Sequence, residues 1–269
     1  MDKIAVITLT RGRRHLLSRA MDSVARQDYG GPIDHIVICD DDQETYSALC
    51  TVAKTSPGTV FPVLIQRNNP LASHDVELRS IYPRLAAMLN HGVRIADSRW
   101  IAFLDDDNEY EPNHLSSLVS CARRFKCRAV HSHRAVFDSA GNPYLERRFP
   151  WTAHPEKSSR IYELFCRKGV WKRDSNILAD RAGPYGYGEF RNSTIANYSD
   201  PVFLVDTSVW LLDRNLCLQY PVPEEFSDND FEANNAPDDK FLEQLLRNDI
   251  PIVSTGLPTL RYYLGGVSN

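Results

Sequence analysis

Three consecutive carboxylates, Asp105, Asp106 and Asp107, directly follow the short apolar run from Trp100 to Leu104. Carboxylates this close repel one another unless a cation lies among them. Mg²⁺ and Mn²⁺ prefer oxygen ligands, usually take one or two carboxylates, and share the rest of their shell with waters and substrate phosphates. The Asp-x-Asp spacing of Asp105 and Asp107 therefore predicts a divalent metal site that binds an anionic substrate. The alternative is a solvated acidic turn that caps the next helix.

Two further acidic groups have residue types suited to the same site. The first, Asp40–Asp42, follows a second apolar run, and a carboxylate at a strand end can accept a hydrogen bond from a base or a ribose hydroxyl. The second, Asp238 and Asp239, begins a predicted helix and could act as a general base towards an acceptor hydroxyl. The alternatives are local turn hydrogen bonds for 40–42 and a favourable helix-dipole contact for Asp238 and Asp239.

Basic residues after the first predicted strand could face a phosphate group. Arg11, Arg13 and Arg14 fall in this loop, and the arginine side chain matches phosphate geometry. A solvated basic helix start is an equally good interpretation for each of them.

The spacing of the histidines does not indicate a set of metal ligands, and we expect core or surface roles for His131 and His133.

The elements that would position these groups alternate between strand and helix in the first half of the chain. Unalternated apolar runs predict strands buried on both faces, and apolar residues at helical spacing predict the intervening helices. The predicted strands are 3–9, 35–39, 60–65 and 100–104, and the predicted helices are 16–24, 44–54, 77–96 and 112–122. This order indicates right-handed βαβ units and a mostly parallel sheet. The acidic clusters at 40–42 and 105–107 should then share the carboxyl edge of that sheet.

The second half is less regular. We predict a strand at 129–137, short strands at 202–205 and 208–212, a helix at 237–247 and a final strand at 251–253. The segment 150–201 is rich in Gly, Pro and aromatic residues, and we predict an irregular structure for it. Within it, we predict a mobile or substrate-covering loop at 183–188.

Composition limits the class of protein. The 269 residues are 42% hydrophobic and 25% charged with a net charge of −4, ordinary globular values that argue against a nucleic-acid binder dominated by phosphate contacts. The sequence shows no signal-peptide pattern and no apolar stretch long enough to span a membrane. The six cysteines lack zinc-ligand spacing, so we expect a reduced, cytoplasmic protein. The oligomeric state stays open, a homo-oligomer included.

Taken together, the pattern resembles the family 2 glycosyltransferases, which have the GT-A fold. The resemblance covers about the first 120 residues and rests on several pieces in the right order, each unspecific by itself. These pieces are Ile4-Ala-Val-Ile-Thr-Leu-Thr-Arg11, the segment 16–29, Ile36-Val-Ile-Cys-Asp-Asp41, Asn90-His-Gly92 and Trp100-Ile-Ala-Phe-Leu-Asp-Asp-Asp107.

The resemblance implies an α/β GT-A fold and a metal-dependent hexosyl transfer from a nucleotide-diphosphate sugar of the UDP, GDP or dTDP type. It implies that residues 1–127 bind the donor. Residues 128–269 would bind the acceptor and supply the catalytic base. The resemblance does not give the identity of the acceptor. The metal, Mn²⁺ or Mg²⁺, would lie on Asp105 and Asp107. Nucleotide contacts are implied for a further set: Thr8, Thr10, Arg11, Asp41, Arg84, Asp105 and Asp106.

In inverting members, the second acid of a Glu-Asp pair is the usual catalytic base, which points to Asp239 with Asp238 beside it. The chain departs from the family pattern at three places. Asp238 stands where the family usually has Glu, and Leu89 stands where an arginine commonly precedes the Asn-x-Gly. Asp42-Gln43 follows the paired acids where the family often has Gly-Ser. A diphosphate contact from the 77–96 helix would therefore come from Arg84 or Arg79.

Other classes of protein remain as alternatives. These are a retaining GT-A transferase, a non-catalytic protein that binds a sugar nucleotide, and an Asp-based phosphatase, although Asn108-Glu109 does not fit the usual phosphatase sequence. A nucleotidylyltransferase needs a glycine-rich phosphate loop after the first strand, and Thr10-Arg-Gly-Arg13 is a poor one.

Overall fold

The fold is built on one large sheet of mixed direction. We analysed a computed structural model, which describes residues 1–55, 59–66, 78–152, 154–182, 203–233 and 235–265. The strands in chain order are β1 Ile4–Thr10, β2 Ile33–Asp40, β3 Val60–Ile65, β4 Trp100–Phe103, β5 Glu109–Tyr110, β6 Ala129–Phe137, β7 Ile177–Leu178, β8 Arg181–Ala182, β9 Phe203–Leu204, β10 Trp210–Asp213 and β11 Ile252–Tyr263. The helices are α1 Arg14–Ala25, α2 Gln43–Thr55, α3 Leu78–Ile95, α4 His114–Phe125, α5 Pro155–Arg167, α6 Arg214–Gln219, α7 Asp228–Glu232 and α8 Pro237–Arg247.

The large sheet has the order β3-β2-β1-β4-β10-β6-β11-β5, with β7 paired to β6. The four strands β3, β2, β1 and β4 run parallel to one another, as the alternation of strands and helices predicts. β10 lies antiparallel between β4 and β6, and β11 runs parallel to β6. Both halves of the sequence therefore contribute strands to one continuous sheet, and β8 and β9 form a separate pair.

The central strands are buried because helices cover them. All four residues of β4 and six of the seven residues of β1 are buried, which explains why these stretches are apolar without alternation. The predicted mixed α/β class is confirmed, and the strand limits 60–65 and 129–137 and the helix limits 237–247 agree with β3, β6 and α8. Pro83 is the sixth residue of α3 and lies inside the helix.

The prediction for 150–201 was wrong in part, because α5 occupies Pro155–Arg167. His154 caps its N-terminus and Pro155 takes the first helical position, where proline costs no hydrogen bond. Tyr162 and Phe165 then pack against Trp171 and Leu178 in a second apolar cluster. The frequent Pro, Trp and Arg residues of this region concealed the helical spacing, and 183–188 lies outside the described residues.

Five other elements were not predicted, namely α6, α7, β5, β7 and β8, and one was predicted too short. α6 and α7, of six and five residues, are too short to leave a periodic pattern. The two residues of β5 are extended because they pair with β11. The final strand runs for 12 residues instead of three, with register shifts against β6 between Ser254 and Pro258 and between Pro258 and Leu260.

Gly92 and Asn90, on α3, fix the helix and the segment that leads towards α7 and α8. A Cβ on Gly92 would lie 2.7 Å from Cγ2 of Ile7 on β1, so only glycine allows α3 this close to the sheet. Asn90 is buried, donates to the Val222 carbonyl at 2.8 Å, and accepts from the Val222 N–H at 2.9 Å. The Asn-x-Gly of the sequence resemblance therefore has an architectural role here.

No helix among the described residues has both the length and the apolar character that crossing a bilayer requires.

We expect Gly92→Ala to lower the free energy of unfolding by about 1–3 kcal/mol, the usual cost of overpacking a core. Alanine is intrinsically the better helix former, so the sign of the change tests the close contact with Ile7. Urea unfolding followed by circular dichroism would measure it, with the exposed Arg94→Ala on the same helix as the control. A variant as stable as the parent protein would contradict this account of the packing.

Candidate functional site

The acidic clusters meet at one edge of the sheet, as predicted. β1 pairs in parallel with β2 on one side and β4 on the other. Asp40 is the last residue of β2, and Asp105 follows β4 after Leu104. Their carboxylates therefore flank the end of β1 at Thr10, although about 65 positions separate them in the sequence.

The two later carboxylates of the first cluster are held by Arg13, from the turn before α1. Arg13 forms ion pairs with Asp106 at 2.5 Å and with Asp107 at 2.9 Å. Asp106 is 0% exposed, so this ion pair with Arg13 holds a fully buried carboxylate. Arg19 on α1 donates to the Asp107 carbonyl oxygen at 3.1 Å, which holds the same turn from a second side.

Asp105 is oriented by two neutral residues, Asn108 in the same turn and Ser208 from a distant part of the chain. Its N–H donates to the Ser208 hydroxyl at 3.0 Å, and its carboxylate accepts from the Asn108 amide at 3.3 Å. Asn108 is buried, and its oxygen accepts from the N–H of Tyr263 at 3.0 Å, at the end of β11. The acidic turn is therefore joined to the last strand of the sheet.

Electrostatics make this cluster unfavourable without a cation. Burial raises the pKa of Asp105 well above its usual range, and the charges of Asp206, Asp107 and Asp106 raise it further. Burial likewise raises the pKa of Asp106 to about 6, against the opposing effect of Arg13. Within the described part of the chain, no three His, Cys, Asp or Glu side chains are arranged to hold a metal ion by themselves. Two hard carboxylates fit a Mg²⁺ or Mn²⁺ ion that takes its other ligands from phosphate and water.

At the end of β2, the three aspartates have different environments. Asp41 is exposed at a positive φ of 55°, and its N–H donates to the Ile65 carbonyl on β3. Asp42 accepts from the N–H of Gly12 at 2.8 Å and so ties the loop after β1 to α2. Asp40 accepts from Arg84 Nε at 2.7 Å, which brings α3 to the same edge.

Two of the predicted nucleotide contacts in the first strand and its turn differ sharply in exposure. Thr8 is buried within β1, and its hydroxyl shares a hydrogen bond with the His35 ring at 2.9 Å. This hydroxyl is therefore engaged inside the sheet. Arg11 is exposed in the turn after the strand.

Sequence reasoning missed a buried charge network centred on Arg134 of β6. Arg134 is 3% exposed, and it donates to Asp180 at 2.8 and 3.2 Å and to Asp206 at 2.7 Å. The Asp206 N–H in turn donates to Asp180 at 3.1 Å, and Asp206 caps the short 3₁₀ turn Thr207–Val209. The network thus fixes the chain just before Ser208, the residue that binds Asp105.

Two aromatic rings cover the guanidinium of Arg134. Its central carbon lies 5.6 Å from the centroid of the Trp151 ring and 5.2 Å from that of Tyr262, distances at which cation–π attraction operates. The two rings are 5.5 Å apart at a steep angle. Burial raises the pKa of Tyr262, and the charge of Asp206 adds to this effect, so both rings border the acidic cluster.

Asp238 and Asp239 lie in the first turn of α8, as predicted. Asp239 accepts from the Ala236 N–H at 3.2 Å and so caps its own helix. Burial raises the pKa of Asp239 to about 6, with Arg134 lowering it and Asp206 raising it further. Burial also raises the pKa of Asp238 well above its usual range, with contributions from Asp239 and Asp206. Because the charge of Asp206 also acts on Asp105, the two acidic groups and the Arg134 network form one electrostatic cluster.

A faint signal for this network exists in the sequence. An arginine inside an apolar strand is almost never buried without a paired acid. Nothing in the pattern indicates that the acids are Asp180, 46 positions later, and Asp206, 72 positions later.

Comparison with known proteins identifies relatives of this fold. Residues 78–180 match the model of the family "Glycosyl transferase family 2", which supports the resemblance seen in the sequence. Comparison with curated protein sequences finds no match.

Among solved structures, S. aureus TarS 1-349 in complex with UDP is 13% identical with a TM-score of 0.58, over 99% of this chain and 62% of that one. The mannosyltransferase PcManGT from Pyrobaculum calidifontis, in complex with GDP-Man and Mn²⁺, is 14% identical with a TM-score of 0.57, over 99% of this chain and 58% of that one. The present chain therefore spans less than two thirds of the length of these two structures. The similarity confirms the predicted GT-A fold.

We expect Arg134→Met to lower the free energy of unfolding by about 3–5 kcal/mol, because it leaves Asp180 and Asp206 buried without a countercharge. Adding Asp180→Asn to this variant should restore part of the loss. Urea unfolding followed by tryptophan fluorescence would measure both changes. The exposed pair of Arg173 and Glu163 provides the control, since Arg173→Met should destabilise the protein far less than Arg134→Met. Equal losses for the two arginine variants would contradict the assigned role of the network.

Proposed function

We propose that this protein is a glycosyltransferase that moves a sugar from a nucleotide-diphosphate donor to an acceptor hydroxyl. The observation that carries the proposal is the group of aspartates at the carboxyl edge of a GT-A sheet: Asp40–Asp42 and Asp105–Asp107 follow strands on the two sides of β1, and Asp206, held by Arg134, lies just before Ser208, which accepts from the Asp105 N–H. Ligands of open α/β sheets bind at this edge. The match of 78–180 to the family model supports the same reaction class.

The donor would bind across the ends of β1, β2 and β4. Asp41 is exposed beside β3 and would accept a hydrogen bond from the base or the ribose. Arg11 and Arg13 lie on the turn after β1 and would face the diphosphate. The solved relatives were determined with UDP, UDP-GlcNAc and GDP-Man, which supports a nucleotide sugar as the donor class.

Asp105 and Asp107 would hold a divalent cation. Such an ion supplies charge stabilisation for the diphosphate as it leaves. The raised pKa values of both carboxyls favour this role, because mutual repulsion and burial penalise the ionised pair without a cation. Asn108 and Ser208 would keep Asp105 oriented, while Arg13 would keep Asp106 neutralised below it.

Asp239 would be the base that removes the proton from the acceptor hydroxyl. In the reaction, the bond between the anomeric carbon and the diphosphate oxygen breaks, and the acceptor oxygen forms the new bond from the opposite face. The acceptor proton passes to Asp239, and the product is inverted at the anomeric carbon. A base works best when its pKa lies near the working pH, and the pKa of Asp239, about 6, fits that requirement.

We expect Asp239→Asn to retain donor binding and to reduce transfer by at least about a hundredfold, in the range of general-base catalysis. In the parent protein, kcat/KM should rise with pH through about 6, because Asp239 must lose its proton to act. Initial rates between pH 5 and 8, with donor affinity from calorimetry, would test both statements. Asp238→Asn is the matched control and should lose less activity. Near-normal turnover in Asp239→Asn would remove this residue from the role.

We expect Asp107→Ala to abolish the Mn²⁺ dependence of donor binding. The measurement is the thermal shift produced by UDP-GlcNAc and by GDP-Man with and without Mn²⁺, since a ligand selective for the native state raises its stability. Asp97→Ala changes an exposed acid at the other end of β4 from the acidic turn and is the control. An unchanged Mn²⁺-dependent shift in Asp107→Ala would contradict the metal assignment, and a shift without any transfer activity would indicate a non-catalytic binding protein.

A further inference from the structure

The segment 144–182 carries a charge opposite to that of the rest of the chain. It contains nine Lys and Arg residues against five Asp and Glu residues, a net charge of +4. The whole chain has a net charge of −4, which leaves 22 basic against 30 acidic residues elsewhere. A local excess of this size creates an attractive field for anionic partners that the overall charge conceals.

Much of this excess lies on the solvent side of α5. Lys157, Arg160 and Arg167 are all exposed, and at 3.6 residues per turn they fall within about 80° of arc. The opposite face of the helix, with Tyr162 and Phe165, is buried in the second apolar cluster. The three basic residues therefore form a stripe about 15 Å long, at 1.5 Å of rise per residue.

Neighbouring segments extend this stripe into a broader surface. Arg147, Arg167 and Arg173 all lower the pKa of Glu163, with the hydrogen bond from Arg173 as the largest cause, so the three arginines surround one carboxylate of α5. Arg147 also pairs with Asp174 at 2.9 Å, which joins the turn after β6 to the turn after α5. We call this surface the α5 basic face. Its other exposed basic members, with no ion pair to a described residue within 4 Å, are Arg148, Lys157, Arg160, Arg167 and Lys172.

An exposed apolar side chain accompanies these charges. Leu145 is 60% exposed and stands three residues before Arg148. The adjacent Tyr144 packs against Trp171, 6.1 Å between ring centroids, so the loop is anchored while Leu145 projects from it. Exposed basic residues beside an exposed apolar side chain are typical of surfaces that bind a bilayer interface.

The helix of the α5 basic face packs next to residues that contact the Arg134 network. α5 packs on the end of β6 through Val136, and Tyr262 of β11 packs against the same cluster. Trp151, which covers Arg134, is three residues before the α5 N-cap. Trp151 and the second apolar cluster therefore join the α5 basic face to the Arg134 network.

We propose that the α5 basic face binds the surface of a membrane that contains anionic lipids. The charges are spread along an exposed helix and its neighbouring turns, which suits many headgroups at once, and Leu145 supplies an apolar contact that a soluble polyanion does not need. This inference does not rest on the proposed function, because binding to lipid is measured without donor or acceptor.

The test is co-sedimentation of the full chain with vesicles of phosphatidylcholine alone and with 30% phosphatidylglycerol. We expect binding only to the anionic vesicles, and we expect 0.5 M NaCl to reduce it strongly because salt screens surface charge. The triple variant Lys157→Glu, Arg160→Glu, Arg167→Glu should lower the partition coefficient by about tenfold or more. Leu145→Ser should lower it by a smaller factor.

The matched control is Lys54→Glu, Arg94→Glu, Arg124→Glu, which changes the net charge equally through exposed residues of α2, α3 and α4. Circular dichroism would establish that both triple variants are folded. Equal losses in the two variants, or equal binding to neutral vesicles, would overturn the proposal. So would binding to soluble inorganic polyphosphate without sedimentation on anionic vesicles, since the partner would then be a soluble polyanion.

Discussion

The arrangement of the site depends on burying several carboxylates together at one edge of a sheet. Such burial is expensive unless each acid has a countercharge or hydrogen-bond donors. Arg13 meets this requirement for Asp106 and Asp107, and Arg134 meets it for Asp180 and Asp206. Among the described residues, Asp105 has no ion pair with an arginine: its carboxylate accepts from the Asn108 amide and its N–H donates to the Ser208 hydroxyl, and its pKa is raised well above the usual range. A cation bound at Asp105 would therefore offset the cost of burying its charge.

The sheet connects the parts of this cluster through strands that are distant in the sequence. β10 lies between β4 and β6, so the chain just before it, with Asp206 and Ser208, passes directly beside the acidic turn. Asn90 on α3 holds the segment at Val222, which leads to the start of α8. One sheet and one helix therefore position the acids of the turn after β4 and those at the start of α8, and both sequence halves contribute to this part of the structure.

The sequence predicted the elements whose pattern is local. Apolar runs located β1 to β4, and the acids that follow β2 and β4 could be placed at one edge because parallel strands share their carboxyl ends. It could not predict the partner of Arg134, because ion pairs between distant positions leave no periodic trace. α5 was missed because the Pro, Trp and Arg residues of its region concealed the helical spacing. Thr8 was assigned to the nucleotide, and its hydroxyl bonds to His35 inside the sheet. For Arg134 and Thr8, contacts with residues distant in the sequence decide the outcome.

The hydrogen bond from Tyr263 to Asn108 has a consequence for the order in which this protein acquires its structure. The two residues are 155 positions apart, so the acidic turn leaves the ribosome long before the strand that secures it. At about 5–20 residues per second, the nascent chain spends roughly 10–30 seconds with Asn108 lacking this partner. The early βαβ units can form during that interval from local contacts, but the geometry around Asp105 is completed only when β11 is added to the sheet. During synthesis, the early strands and helices can therefore form before the acidic edge of the sheet reaches its final geometry.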